Sequence, residues 1–355
     1  KSKIFMDDFL EKEISNFTSK NINKIANSLY ELDFSNELEI SDFVSNLAFY
    51  SRCIENIYLK IIDFSIMDKV SITPKNLDFI KANFTFEVDS LKDFKDDHQK
   101  AEKIFGKLLL ENSNKLKVDL KSPDLSFKLF TIEKKSFLAL DLIGFKLSRR
   151  DFKINLNSTS INSLVPIYCF YLLGLDKEKS FSIIDPFANL GDIIVEASLF
   201  SPRFPLNIKK KDLFPVNKIF PKSKVFPKSE KNNKNKFIAV VQNNKVFKEI
   251  KENILYSSQK IKVSQYNLDF LDVKFKEGQV DYVISQLPSN LEDGDFGEVQ
   301  KEFFYMAEFI FKKGICTISK KKIYPKTLKK FKLKINFYSQ IYVGDQQYYI
   351  YLIGK

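Results

Sequence analysis

The chain of 355 residues has one histidine, no tryptophan, three cysteines and four arginines. Each shortage removes some chemistry. The lone imidazole, His98, sits in the charged run Asp96-Asp97-His98-Gln99-Lys100, which argues against a Ser-His-Asp relay and excludes a multi-histidine metal centre. Cys53, Cys169 and Cys316 are far apart, odd in number and set among apolar residues. They form neither a disulfide framework nor a zinc site, and they fit a reducing compartment, so a cytoplasmic protein is expected. No segment is apolar for the roughly 18 residues a membrane helix needs, and no signal peptide precedes Asp7-Asp8. Because arginine is so scarce, the adjacent pair Arg149-Arg150 stands out as a bidentate phosphate grip.

Lysine, by contrast, is abundant. The formal charge is +12 and the pI about 9.2, a balance that suits a polyanionic partner because lysines on phosphates release counterions. A solvated lysine-rich surface is the other reading of the same number.

Patterning divides the chain in three. In residues 1–75, Phe9, Leu10, Ile14 and Phe17 repeat at helical spacing, a second helix covers about Ile40–Asn56, and a strand follows at Ile57–Ile66. Residues 76–150 hold a strand at Phe84–Val88, a helix at Asp97–Glu111, and three short strands at Leu116–Leu120, Leu125–Ile132 and Phe137–Leu142. Gly144–Lys153 is a basic connector. Residues 151–355 alternate helix and strand as a parallel sheet requires: strands at Phe181–Asp185, Phe237–Gln242, Val263–Tyr266, Tyr282–Ser285 and Gly314–Ser319, a helix at Gln300–Phe311, and a closing hairpin from Leu333 to Ile353. Residues 201–236 break the rhythm with Phe204-Pro205, Phe214-Pro215, Phe220-Pro221 and Phe226-Pro227 among many lysines. They read as an extended insertion without its own core: either a basic arm on nucleic acid, or a loop whose phenylalanines tuck onto the domain.

The chemistry-bearing segment is Ser182-Ile-Ile-Asp185-Pro186-Phe187-Ala188-Asn189-Leu190-Gly191-Asp192-Ile-Ile-Val-Glu196-Ala197. A buried strand ends in an acid, turns through Gly191 and enters an apolar helix, and open α/β sheets hold ligands in such a crevice. These residues resemble the S-adenosylmethionine loop of THUMP-domain RNA methyltransferases, with Asp185, Pro186, Phe187, Gly191, Ile193, Glu196 and Ala197 in register. Collinear likenesses extend the resemblance. Gly144…Leu147-Ser-Arg149-Arg150-Asp-Phe152-Lys153 is similar to the family's connector. Val118-Asp119-Leu120…Pro123-Asp124 is similar to its THUMP turn. Asp8–Ile14 and Tyr50–Glu55 are similar to the N-terminal domain of the archaeal tRNA guanine-N2 methyltransferases.

The resemblance implies an α/β fold: a Rossmann-like class I methyltransferase domain over 151–355, preceded by α+β ferredoxin-like (1–75) and THUMP (76–150) domains. It implies a cofactor pocket made of Asp185, Phe187, Asn189, Gly191, Glu196, Asp269 and Phe270, a target-amine site at Gln286 and Pro288, and structured RNA, tRNA first, gripped by Arg149, Arg150 and Lys153.

The departures from the family fall on the chemistry. Asn189 and Leu190 replace small residues of the loop, and asparagine tolerates the positive φ that such a turn needs. Val241 stands where the family carries an acid for the ribose hydroxyls, with Gln242 or Asn243 as substitutes if the register shifts. The family's Asn/Asp-Pro-Pro-aromatic motif is here Gln286-Leu287-Pro288-Ser289, without the face that stacks a flipped base. Two functions follow. One is an RNA-binding protein whose methyltransferase-type domain has weakened or silent catalysis, a pseudoenzyme. The other is an active tRNA guanine-N2 methyltransferase with a diverged site, completed by a partner subunit.

Overall fold

Strands form where apolar and polar residues alternate, and the first sheet is a direct product of that pattern. In Leu125–Ile132 every second residue is buried, so Leu125, Phe127 and Leu129 line one face with no exposure. The computed structural model describes residues 6–201, 203–223, 225, 234–241, 244–257, 263–267, 275–288 and 291–355. The chain divides into two units.

One unit takes Leu10–Leu147 and Asn207–Pro227. Its strands are β1 (Asn23–Ala26), β2 (Leu29–Glu31), β3 (Tyr58–Phe64), β4 (Phe84–Ser90), β5 (Leu116–Val118), β6 (Leu125–Ile132) and β7 (Lys135–Asp141). β1 and β2 make a small hairpin, and the rest form a five-stranded sheet in the order β3-β7-β6-β4-β5. β3 pairs antiparallel with β7, so the expected boundary between 75 and 76 falls among strands of a single sheet. Helix α1 spans Asp7–Ser15, α2 Glu37–Tyr50 and α3 His98–Asn112. Glu13 of α1 is buried and accepts hydrogen bonds from the Ser51 hydroxyl and the Arg52 and Cys53 amides past the end of α2.

The Phe-Pro stretch contributes to the cores. Phe214, Ile219 and Phe220 are buried, the latter pair at the end of the short helix α6 (Val216–Ile219). Phe214 packs on Phe49 and Phe145. Phe204 joins a cluster with Phe152, Val195, Leu199 and Leu206 in the other unit. The phenylalanines at 204, 214 and 220 are thus interior residues rather than stacking faces of an arm, because burying each ring is worth roughly 1.5–3 kcal/mol. Phe226-Pro227 lies outside the described residues.

The other unit takes Lys1–Phe9, Ser148–Leu206 and Lys228–Lys355. Its strands are β8 (Ser182–Asp185), β9 (Lys236–Val241), β10 (Val263–Asn267), β11 (Val280–Gln286), β12 (Phe311–Ser319), β13 (Lys334–Val343) and β14 (Gln346–Gly354), in the order β10-β9-β8-β11-β12-β14-β13. β8 to β12 run parallel, and β14 inserts antiparallel between β12 and β13. The helices are α4 (Leu164–Leu172), α5 (Asp192–Phe200), α7 (Asn244–Tyr256), α8 (Asp293–Ile310) and α9 (Pro325–Lys329). α8 begins at Asp293, seven residues before the expected Gln300. Strand order reverses at β8, with β9 on one side and β11 on the other, which makes the carboxyl ends of β8 and β11 the ligand crevice of an open sheet. The three cysteines are buried free thiols. Among the described residues no helix is long and apolar enough to cross a membrane.

Candidate functional site

The crevice is built on β8, which ends at Asp185, and on the turn that carries the chain into α5. Two residues of that turn are left-handed, Asn189 at φ 44° and Gly191 at φ 86°. Gly191 is required twice over. Its φ suits glycine, and a Cβ there would lie 2.8 Å from Cγ1 of Ile250 on α7. Asn189 meets the expectation that asparagine sustains the turn, and its side chain supplies a reason. The Asn189 and Asn157 amides exchange hydrogen bonds at 2.8 and 3.1 Å, and Asn189 Nδ2 also donates to Thr159 Oγ1 at 2.7 Å. The amide is thereby anchored on the 157–160 loop. Leu190 is buried, and its carbonyl accepts from Asn253 Nδ2 of α7 at 3.0 Å.

Asp185 is 1% exposed. It accepts from the Ser285 hydroxyl at 2.5 Å and from the Phe187 amide at 3.2 Å. Desolvation pushes the carboxyl up to about 7, and these two hydrogen bonds only partly oppose it. The folded pKa lies above the ordinary value near 3.9. The stability the neutral carboxyl contributes is therefore present in full below about pH 4 and is lost as pH rises through about 7. We expect the urea midpoint of Asp185→Asn to exceed that of the parent at pH 8, with the gap closing towards pH 4. Parallel midpoints across that range would refute the buried neutral acid.

The connector from 148 to 161 is pinned beneath α5. Arg150 Nε lies 2.9 Å from Glu196 Oε1, with side-chain exposures of 1% and 0%. Lys153 Nζ lies 2.6 Å from Asp192 Oδ1 and donates to the Ile161 carbonyl, while Asp192 also accepts the Ile161 amide. Asp192 opens α5, where an acid suits the helix dipole. Of the three basic residues expected to grip RNA, only Arg149 is exposed; Arg150 and Lys153 are committed to interior ion pairs. Glu196, expected in the cofactor pocket, is the buried partner of Arg150. Phe187 has its amide on Asp185 and Ser285, and its ring stacks on Phe303 at 6.1 Å.

On the neighbouring strand Gln286 is the last residue of β11 and half-buried. Leu287 is fully buried and its amide donates to the Ile318 carbonyl at 2.8 Å, and Pro288 follows, half-buried. Val241, the last residue of β9, is buried and carries no hydroxyl acceptor in its side chain. Asp269, Phe270, Gln242, Asn243 and Ser289 lie outside the described residues.

The structure thus brings Asp185, Phe187, Asn189, Gly191, Gln286 and Pro288 to the carboxyl ends of two neighbouring strands. Sequence reasoning missed Ser285, Asn157 and Asn253. Only Ser285 left a signal, a hydroxyl one residue before the suspected amide and directly after the apolar run Tyr282-Val283-Ile284. The missing Cβ of Gly191 faces Ile250, so the glycine lets α7 pack against the turn, and Val241 offers no polar side chain at the end of β9.

Comparison with known proteins bears on this geometry. Residues 168–335 match the UPF0020 family, described as the RMKL-like methyltransferase domain. The ribosomal RNA large subunit methyltransferase K/L of Psychrobacter sp. (strain PRwf-1) is 31% identical over 97 residues, which are 27% of this chain and 12% of that protein. Among solved structures, TrmN from Thermus thermophilus superposes with a TM-score of 0.67 at 15% identity, over 100% of this chain and 98% of that one. A possible methylase from Clostridium difficile 630 gives 0.71 at 17% identity, over 99% and 96%. SMU.472, solved complexed with SAH, gives 0.68 at 12% identity, over 99% and 96%. These likenesses establish a Rossmann-like methyltransferase fold.

Proposed function

We propose, from the methyltransferase fold of the seven-stranded unit, that this protein binds S-adenosylmethionine weakly and an RNA, tRNA first, and that its methyl transfer is much reduced from that of an ancestor acting on a guanine exocyclic amine. The observation that carries the reading is the contrast at the crevice. The turn Asp185–Gly191 keeps its left-handed residues and its closely packed glycine. The segment that should hold a target amine presents Gln286 ahead of a buried leucine. In the family, side-chain and backbone oxygens hold the amine, and an aromatic stacks the base. Here the amide is one methylene longer, and a misplacement of about 1 Å can cost on the order of a hundredfold in rate. The missing ribose acceptor at Val241 leaves hydroxyls unpaired, which costs roughly 1–3 kcal/mol. The resemblance of residues 1–75 to a ferredoxin-like module and of 76–150 to a THUMP module supports a docking role for that part of the chain.

Calorimetry with S-adenosylmethionine and its demethylated product tests the cofactor half. We expect binding about ten- to hundredfold weaker than a site with the ribose acid would give. Radiolabelled methyl transfer to bulk tRNA and ribosomal RNA tests the other half, with traces unchanged by Gln286→Ala. No binding heat at millimolar cofactor, from a chain with native circular dichroism, would refute the pocket. Rapid transfer abolished by Gln286→Ala would instead establish an active enzyme with a diverged site.

A further inference from the structure

With Arg150 and Lys153 committed to interior pairs, a surface that meets RNA has to be found elsewhere in this unit. Residues 309–344 hold ten lysines and no aspartate or glutamate. Eight of the ten fall between Lys320 and Lys334, at the carboxyl end of β12, through α9 and into β13. β13 is the edge of the sheet, bonded only to β14 among the described strands, and its first five residues are exposed.

The edge carries a defined face. Paired residues of adjacent strands share a face, and the register couples Tyr338 with Tyr351, Gln340 with Tyr349 and Tyr342 with Gln347. The rings are ordered with respect to one another. Tyr338 lies 4.9 Å from Tyr351 and is stacked at 14° on Tyr349, 6.4 Å away. Gln340 donates to the Tyr342 hydroxyl, which donates to Gln347. Lys322 Nζ sits 5.8 Å over the Tyr349 ring. Tyr351 is buried in the core below, whereas Tyr338 is 43% exposed. Planar rings held in register beside lysines form the combination that stacks bases and neutralises phosphates of a single strand.

The face is close to the crevice. Gln286 is in register with Ile318, Ile318 with Ile350, and Ile350 with Ser339. Tyr349 is thus one residue past the level of Gln286 and two strands across, roughly 10 Å at about 4.8 Å per strand. Because successive side chains alternate, its ring is on the opposite face of the sheet from Gln286, both near the carboxyl ends of β11 and β12.

We propose that the Tyr338–Tyr349 face, with Lys320 and Lys322 beside it, holds unpaired nucleotides of the RNA strand that presents one at Gln286, the strand passing over the carboxyl ends of β11 and β12 from one face of the sheet to the other. The proposal rests on the RNA-binding reading above and adds a location to it. The occupant is an RNA strand because the segment's own charges are all positive, with Lys313 and Lys321 paired to Glu178 and Asp293 and the other eight lysines carrying the excess, and because the exposed ring of Tyr338 offers a planar stacking face.

The test is fluorescence anisotropy on the full chain with labelled oligouridylate, and with an RNA duplex of equal length. Tyr338→Ala should weaken oligouridylate binding about tenfold, in line with roughly 1–3 kcal/mol per stacked base. Tyr338→Phe should bind like the parent, and the duplex should respond little to either change. Lys320→Ala with Lys322→Ala should reduce the slope of log affinity on log salt by about 1.4, at about 0.7 per phosphate contact. Unchanged affinity and slope in these variants would overturn the proposal, as would equal losses for the strand and the duplex. So would a heparin or acidic-peptide competitor whose binding is lost in parallel. Calorimetry with S-adenosylmethionine on the same variants separates the two readings. Cofactor heat that persists while oligouridylate ignores Tyr338 sinks this surface alone; absent cofactor heat sinks the pocket while leaving a Tyr338-dependent RNA effect standing.

Discussion

Replacing Glu196 by alanine should destabilise the seven-stranded unit by about 3–5 kcal/mol. The change removes the carboxylate 2.9 Å from the Arg150 guanidinium, itself 1% exposed, and truncating one member of a buried pair costs more than the net worth of the pair. For a unit of this size the loss is on the order of 10 °C in Tm. Arg150→Ala should do similar harm from the other side. The double change Arg150→Met with Glu196→Leu should return to within about 1–2 kcal/mol of the parent, since two apolar side chains of similar volume remove both desolvation penalties. Arg149→Ala, at an exposed site, should stay within about 0.5 kcal/mol. Urea unfolding followed by circular dichroism decides this. A Glu196→Ala chain as stable as Arg149→Ala would show that the pair is not sealed from water. Any RNA affinity lost in Arg150→Ala should follow the folded fraction and leave the salt slope unchanged.

Gly191→Ala carries the second large effect, expected at about 3 kcal/mol. Two costs combine. At φ 86° an L-residue is strained by roughly 1–3 kcal/mol. The added Cβ would also stand 2.8 Å from Cγ1 and 3.1 Å from Cδ1 of Ile250, itself fully buried, and overpacking of this kind typically costs about 1–3 kcal/mol. A double-mutant cycle with Ile250→Ala separates them: the packing part should vanish in the pair, giving a favourable coupling of about 1 kcal/mol or more, while the backbone part stays. Cofactor heat should fall along with stability, because α5 starts at this turn. Strictly additive losses would remove Ile250 from the explanation.

How much of this was legible beforehand differs from one element to the next. The strand-turn-helix from Ser182 to Phe200 announced itself because its burial is almost continuous and its turn holds a glycine. β1 and β2 went unseen: they are four and three residues long, and none of their residues is buried, so no alternation marks them. The start of α8 was hidden by Gly294 and Gly297 in an acidic first turn, residues whose intrinsic propensity argues against helix. Arg150 was misread for a different reason. Its partner lies 46 residues further on, and a local pattern says nothing about which acid a fold will bring to it. The same holds for the reciprocal amides of Asn157 and Asn189, 32 residues apart, and for the Phe-Pro phenylalanines, whose burial is a tertiary outcome. The placement of Asp185 and Gln286 at strand ends and of Gly191 at the start of α5 was legible because the crevice of a parallel sheet is tied to the ends of particular strands.

The division of the chain into interleaved pieces has a consequence for biosynthesis. The five-stranded unit lacks Asn207–Pro227 until the intervening Ser148–Leu206, which belongs to the other unit, has been made. Phe214, with no exposed surface, packs against Phe49 and Phe145, and the Val216 amide bonds to the Leu142 carbonyl. A nascent chain with Leu147 just clear of the ribosome therefore carries a finished sheet with an uncovered aromatic patch. Native closure waits for some seventy further residues, from 147 to 216, about 4–14 s at 5–20 residues per second. During that interval the patch is the exposed apolar surface that chaperones bind, and a fragment ending at Leu147 would keep it permanently.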